Sequence, residues 1–231
     1  MSRIGGWAGI GAAITYLVGF ALAGTLLADT VGMAAAEYVA FLADNEAIMY
    51  VWSTIIYIIN GALLAALVVA VSARLAPRTP DVARIAGAIG LIWAGLVIAA
   101  GMVRLTSLTA VVGLHASDPL AAAALWPALE AVQEGLGGGI EVPGGLWVLL
   151  VSIAGLRSGA LPRQLNFLGI GNGLAGILTI VPGVELFAMV FGLGMLAWFA
   201  CVGIVLLRES RAAGPQPARE TRSDALPSPV A

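Results

Sequence analysis

The sequence predicts an all-α integral membrane protein, a bundle of six transmembrane helices with short amphipathic helices on the outer side. Three observations predict this fold class. Hydrophobic residues make up 60% of the 231 residues and charged residues only 10%, against about a quarter charged in a soluble domain. Six apolar segments follow one another along the chain, and almost all of the arginines lie on one side of them.

The six apolar segments are separated by polar connections. A helix needs about 20 apolar residues to cross a hydrocarbon core of about 30 Å. The segments that reach or approach this length are 5–28, 47–72, 85–107, 140–156, 165–182 and 186–207. The first exceeds the apolar core of a signal peptide, which is about 7–15 residues long. We therefore interpret it as a span.

The arginines orient the predicted bundle. With six spans, all of the arginines except Arg104 fall before the first span, in the second and fourth connections, or after the last span. Acidic residues dominate the other side. Connections rich in arginine stay in the cytoplasm. We therefore expect a multi-pass protein of the cell membrane (the inner, plasma membrane) with cytoplasmic N- and C-termini.

The outer connections show helix signals of their own. Residues 33–43 predict a short helix, and 118–135 predict a second one with Asp118 as N-cap and Pro119 in its first turn. We expect an apolar stripe on the second helix to be buried against the bundle or lipid, opposite a polar face. The stripe consists of Leu125, Leu129, Val132 and Leu136, and the polar face of Glu130, Gln133 and Glu134.

The domain organisation follows from composition. Residues 1–208 form the predicted six-helix transmembrane domain. Residues 209–231 are rich in Pro, Ala, Ser and charge, and a segment of this composition cannot bury a core. We expect it to be a disordered cytoplasmic tail.

Composition also excludes several chemistries. The chain has no lysine, which excludes a retinal Schiff base and a phosphate-binding P-loop lysine. His115 is the single histidine, so bis-histidine haem ligation within one chain is excluded as well. We expect no cofactor and no metal. The motifs usual for a membrane-embedded enzyme are absent, which makes catalysis the third choice among the function classes.

Polar side chains predicted at membrane depth are the candidate binding residues: Arg104, Glu130, Glu134, Glu141, Asn60 and Asn172. A charge in the hydrocarbon core costs about 2.5–3.5 kcal/mol on insertion scales, so such residues mark functional sites by default. Each also has a structural interpretation: a snorkelling arginine, a solvated helix face, a helix cap. We further expect one of the three glutamates to neutralise Arg104.

The two asparagines lie mid-span, and each is followed by glycine. They occupy equivalent positions if the fold consists of two inverted three-helix halves. Two independent interhelical hydrogen bonds are the alternative.

Two function classes remain. The first is small-solute transport or binding through an outward-facing polar pocket. The second is a non-catalytic membrane component that packs with a partner protein or senses membrane state. A closed cavity lined by Arg104 and the glutamates would favour the first class. We expect membrane lipid as a partner and no nucleic acid. The first class also implies a small-molecule ligand. A homo-oligomer is compatible with the sequence.

The last third of the membrane region resembles a known family. The motifs are Gly-Gly-Leu-Trp-Val-Leu-Leu (144–150), Arg-Ser-Gly-Ala-Leu-Pro-Arg (157–163), Phe-Gly-Leu-Gly-Met-Leu-Ala-Trp-Phe (191–199) and Gly-Ile-Val-Leu-Leu-Arg (203–208). They resemble an uncharacterised bacterial family of six-span membrane proteins, a domain of unknown function. The resemblance implies a six-helix fold and assigns no catalytic residue.

Overall fold

The computed structural model describes residues 1–212, and in this range the chain consists of helices joined by turns and short connections, without a strand. Each of the six predicted apolar segments coincides with a helix. The helices are α1 Ser2–Ala23, α2 Ala35–Asp44, α3 Glu46–Ser53, α4 Asn60–Leu75, α5 Pro80–His115, α6 Pro119–Gln133, α7 Val142–Ser158, α8 Arg163–Leu178 and α9 Glu185–Ala212. Two π-helical turns interrupt this order: Thr54–Ile59 joins α3 to α4, and Glu134–Gly138 follows α6.

Six helices form a closed ring in chain order. α1 packs on α4, α4 on α5, α5 on α7, α7 on α8, α8 on α9, and α9 returns to α1. The centre of the ring is aromatic, with Trp93 5.7 Å from Trp147 and Trp147 5.3 Å from Trp198, measured between ring centroids. These distances are those of favourable aromatic pairs. The aromatic residues therefore link α5, α7 and α9 across the centre of the ring.

Five helical stretches in the described range are long and apolar enough to cross a membrane. They are Ser2–Ala23, Glu46–Leu75, Pro80–His115, Pro119–Ser158 and Leu186–Arg211. α8 has 16 residues, fewer than the roughly 20 that a full crossing needs. Length and apolar character alone therefore account for five crossings, and α8 is the segment on which a sixth depends.

A second hydrophobic core lies beyond one end of the ring. α5 has 36 residues, about 54 Å at 1.5 Å per residue, and so extends past a hydrocarbon core of about 30 Å. Its last turns pack against α2, α3 and α6. We call this unit the cap; its buried residues are Val39, Leu42, Met49, Leu108, Val111, Ala122 and Trp126. The two predicted short helices are thus present, and Asp118 Oδ1 accepts the Ala121 N–H at 3.0 Å as the predicted N-cap.

The face that α6 buries includes only part of the predicted stripe: Leu129 packs against the cap core and Leu136 is half-buried. Leu125 and Val132 of the expected stripe are 39% and 55% exposed, whereas Trp126 and Gln133 are buried. Trp126 covers more apolar surface than a leucine, and the Gln133 amide finds a hydrogen-bond partner on the Tyr57 hydroxyl. These two residues therefore decide which side of α6 packs inward.

The other end of the ring carries the arginine-rich connections. Arg74 Nε, near the end of α4, donates to the Ala160 carbonyl at 2.7 Å, and its guanidinium pairs with the Glu209 carboxylate of α9. The Arg74 side chain thus joins α4 to the α7–α8 connection and to α9. α9 continues to Ala212, beyond the predicted domain boundary at 208, and the remainder of the predicted disordered tail lies outside the described residues.

Candidate functional site

A cavity of about 250 Å³ lies between α1, the α3–α4 segment and the connection that precedes α7. This volume is well above the minimum of about 10–15 Å³ that one water molecule needs, and it suits a small solute. The lining residues are Thr15, Tyr16, Gly19, Phe20, Ala23, Trp52, Ile56, Tyr57, Asn60, Val97, Gly137, Gly138 and Glu141.

The backbone explains why a cavity forms at this place. α1 packs closely along α4 and barely contacts α3, so the two segments diverge toward the cap. Both π-helical turns border the resulting space: the first supplies Ile56 and Tyr57, and the second supplies Gly137 and Gly138. The first lies inside the continuous helical stretch Glu46–Leu75, and π-helical turns inside helices are rare and occur frequently at functional sites. The second ends α6 with a kink at Gly137.

Glu141 is the only charged residue that lines this cavity in the described part of the chain. It precedes α7 as the N-cap, and its backbone N–H donates to Thr179 Oγ1 at 2.8 Å. Its side-chain Oε2 accepts the Trp93 indole N–H at 2.9 Å. Because Trp93 is buried in the centre of the ring, the carboxylate is positioned by the protein core. The carboxylate makes no capping hydrogen bond to α7; it lies on the cavity instead.

Neutral polar groups and aromatic rings make up much of the remaining lining. The Thr15 hydroxyl donates to Asn60 Oδ1 at 3.0 Å and joins α1 to α4. The Tyr57 hydroxyl accepts the Gln133 amide at 2.9 Å and joins the first π-helical turn to α6. Four aromatic side chains face the space: Tyr16, Phe20, Trp52 and Tyr57. The cavity thus combines one carboxylate with aromatic and hydroxyl-bearing side chains.

Arg104 is buried, 7% exposed, but outside this cavity. Its Nη2 donates to the Tyr38 hydroxyl at 3.2 Å, and its guanidinium lies 4.7 Å from the Trp126 ring centroid. The predicted ion pair with Glu130, Glu134 or Glu141 is wrong, since none of these carboxylates lies within 4 Å of the guanidinium in the described residues. The guanidinium contacts the Trp126 ring of α6, where a glutamate carboxylate was expected.

The other predicted binding residues are dispersed. Glu130 lines a separate pocket of the cap beside Tyr38 and Trp126, and Glu134 is exposed. Asn172 is buried in α8, and its amide has no hydrogen-bond partner among residues 1–212. Of the six candidate residues, the cavity brings together Asn60 and Glu141 only.

The aromatic lining and the contact of the buried Gln133 with Tyr57 were not predicted from the sequence. Tyr16 and Tyr57 lie within apolar segments, where a tyrosine hydroxyl needs a partner when buried. Thr15 beside Tyr16 makes two adjacent polar side chains in the middle of the first span, and this was the available signal. The contact of Gln133 with Tyr57 had no such signal, because the two residues are 76 positions apart.

The comparisons with known proteins identify a family for this chain, and they give no information about its activity. A family model described as a domain of unknown function, DUF4386, matches residues 4–209. Neither the search of curated proteins nor the search of solved structures found a match. The match covers the whole helical ring and the cap, and on that ground the chain belongs to the DUF4386 family, whose function is unknown.

Proposed function

We propose that this protein crosses the plasma membrane six times, with both termini in the cytoplasm, and binds a small solute in the Glu141 cavity for transport. The closed ring supports six crossings, because α8 occupies a full place in it between α7 and α9. The arginine-rich connections lie at one end and the cap at the other, which supports the orientation.

The observation that carries the proposal is the Glu141 carboxylate on a cavity within an apolar helical stretch. An ionisable group at membrane depth is expensive and marks a functional site by default. A carboxylate that served only to cap α7 would need no adjacent space. Here the carboxylate lines a cavity of about 250 Å³, which the two π-helical turns also border.

The second class, a component that packs with a partner or senses membrane state, makes a different prediction. In that case the cavity is a packing defect, and filling it should leave function unchanged or raise stability. The closed cavity lined by Arg104 and the glutamates, which would have favoured the first class, is not found in residues 1–212: Arg104 contacts the cap, and Glu141 alone of these residues lines the cavity.

The test fills the cavity. Ala23 lines the cavity and is exposed, so Ala23→Trp should block its entrance without overpacking the core. The purified protein in detergent is screened against a solute library by thermal shift. A solute at 100 times its Kd should stabilise the wild type by about 2.7 kcal/mol, and this gain should be lost in Ala23→Trp and in Glu141→Gln.

The matched control is Ala124→Trp, the same change at an exposed position of α6 outside the cavity. The Ala124→Trp protein should keep the thermal shift that the solute produces in the wild type. Uptake of the same solute into proteoliposomes then separates transport from binding. Equal shifts in the wild type and Ala23→Trp would refute the cavity as the binding site.

A further inference from the structure

We infer that the solute of this cavity is a small organic cation, an ammonium ion with methyl groups or a short apolar chain. This inference rests on the proposed function and names the ligand class. It depends on two observations that belong to different elements: the isolated carboxylate before α7, and the aromatic lining supplied by α1 and by the α3–α4 segment.

The charge of the cavity favours a cation. Glu141 Oε2 accepts the Trp93 N–H, and Oε1 has no hydrogen-bond partner in the described residues. No arginine lines the space; the buried Arg104 contacts Tyr38 and Trp126 in the cap. An anion would meet the carboxylate without a compensating charge, and a neutral solute would leave that carboxylate unpaired.

The aromatic residues favour an organic cation. Tyr16, Phe20, Trp52 and Tyr57 come from two segments and border one space. The faces of such rings attract ammonium groups, tryptophan most strongly, and aromatic cages of this kind recognise methylated ammonium ions. Tyr16 and Phe20 both line the cavity, and their rings lie 6.4 Å apart with planes inclined by 59°.

A bare metal cation fits this lining poorly. Calcium takes six to eight oxygen ligands, and magnesium needs near-ideal octahedral geometry. The cavity offers one carboxylate, and residues 1–212 contain no cluster of three or more metal-binding side chains. The apolar residues Val97, Ile56 and Ala23 instead provide contact surface for carbon atoms.

The test compares two probes of the same shape. Choline carries a trimethylammonium group, and 3,3-dimethylbutan-1-ol replaces that group with an uncharged tert-butyl group. Binding to the detergent-solubilised full chain is measured by calorimetry at about pH 8.5, where a free carboxyl is ionised. We expect choline to bind the wild type at least about tenfold more tightly than the alcohol.

Variants identify the residues responsible. Glu141→Gln should abolish the preference for choline, and Trp52→Leu should weaken choline binding about three- to tenfold. Glu134→Gln is the matched control, since this carboxylate is exposed and does not line the cavity; it should behave as the wild type. Ala23→Trp should block both probes.

The outcomes separate this inference from the proposed function. Equal affinity for the two probes, with both blocked by Ala23→Trp, would overturn the cation class and leave solute binding intact. Choline binding that survives Glu141→Gln unchanged would also overturn it. If the library solutes that bind and are blocked by Ala23→Trp are all uncharged or anionic, only the ligand class is refuted. If no solute binds, the ligand class and the proposed solute binding are both refuted.

Discussion

The guanidinium of Arg104 lies between the Tyr38 hydroxyl of α2 and the Trp126 ring of α6. A planar guanidinium suits this arrangement because it stacks on a ring and donates in its own plane at the same time. Arg104 therefore joins the long α5 to two helices of the cap. At this residue a cation–π contact and a hydrogen bond replace the ion pair that charge pairing alone predicts.

A double-mutant cycle tests this role. Arg104→Leu and Trp126→Leu should show a coupling energy of about 0.5–2 kcal/mol, measured by chemical unfolding in detergent, because each change removes the same cation–π contact. The cycle of Arg104→Leu with Glu141→Gln should be additive within about 0.5 kcal/mol. Larger coupling to Glu141 than to Trp126 would restore the ion-pair interpretation.

At the scale of elements, the connection from α6 to α7 determines the position of Glu141. The π-helical turn Glu134–Gly138 extends α6, and Gly137 then adopts φ 122° and ψ 23°. This backbone conformation is available to glycine at little cost and strained for other residues. It redirects the chain so that α7 begins with the Glu141 carboxylate at the cavity.

Gly137→Ala should destabilise the protein by about 1–3 kcal/mol because of the positive φ. Space is not the cause, since the nearest atoms to an added Cβ are 3.9 Å away. Gly135→Ala is the matched control: no atom lies within 4 Å of its Cβ position and its φ is not positive, so it should be neutral or stabilising by up to about 1 kcal/mol. Equal effects of the two changes in thermal unfolding would contradict this explanation.

At the scale of the whole molecule, the ring and the cap are two cores joined by one helix. The ring is closed by α9 against α1, and α5 extends from it into the cap. The cavity lies where α1 and α3 diverge, on the cap side of the close α1–α4 packing. The proposed orientation would therefore open it toward the outside of the cell.

Cysteine labelling with an impermeant thiol reagent in intact cells tests the six crossings. In a Cys201→Ser background, cysteines at the exposed positions Ala76 and Gln164 should be protected. Ala76 lies in the arginine-rich connection after α4, and Gln164 lies in the first turn of α8, beside the other one. Cysteines at Ser117 and Val184 should be labelled. Gln164 lies at the start of α8, and Val184 follows its end. Equal labelling of these two positions would therefore show that α8 does not cross the membrane.

Much of the architecture was determined by the sequence itself. Apolar length specifies the helices, because an apolar segment in lipid must satisfy its own backbone hydrogen bonds. Local signals specify the helix ends, as at Asp118, whose carboxylate caps α6 as predicted, and at Gly159, which ends α7 with φ +64°. These features depend on neighbours in the chain, and a sequence displays such neighbours directly.

The tertiary structure alone decided which polar residues meet. Glu141 and Asn60 share a cavity with Tyr16 and Tyr57, whereas Arg104 contacts Tyr38 across 66 positions of the chain. Such contacts depend on which helix faces pack together and where π-helical turns shift the register. The apolar stripe predicted only part of the buried face of α6, because Trp126 and the Gln133–Tyr57 hydrogen bond pack inward in place of Leu125 and Val132.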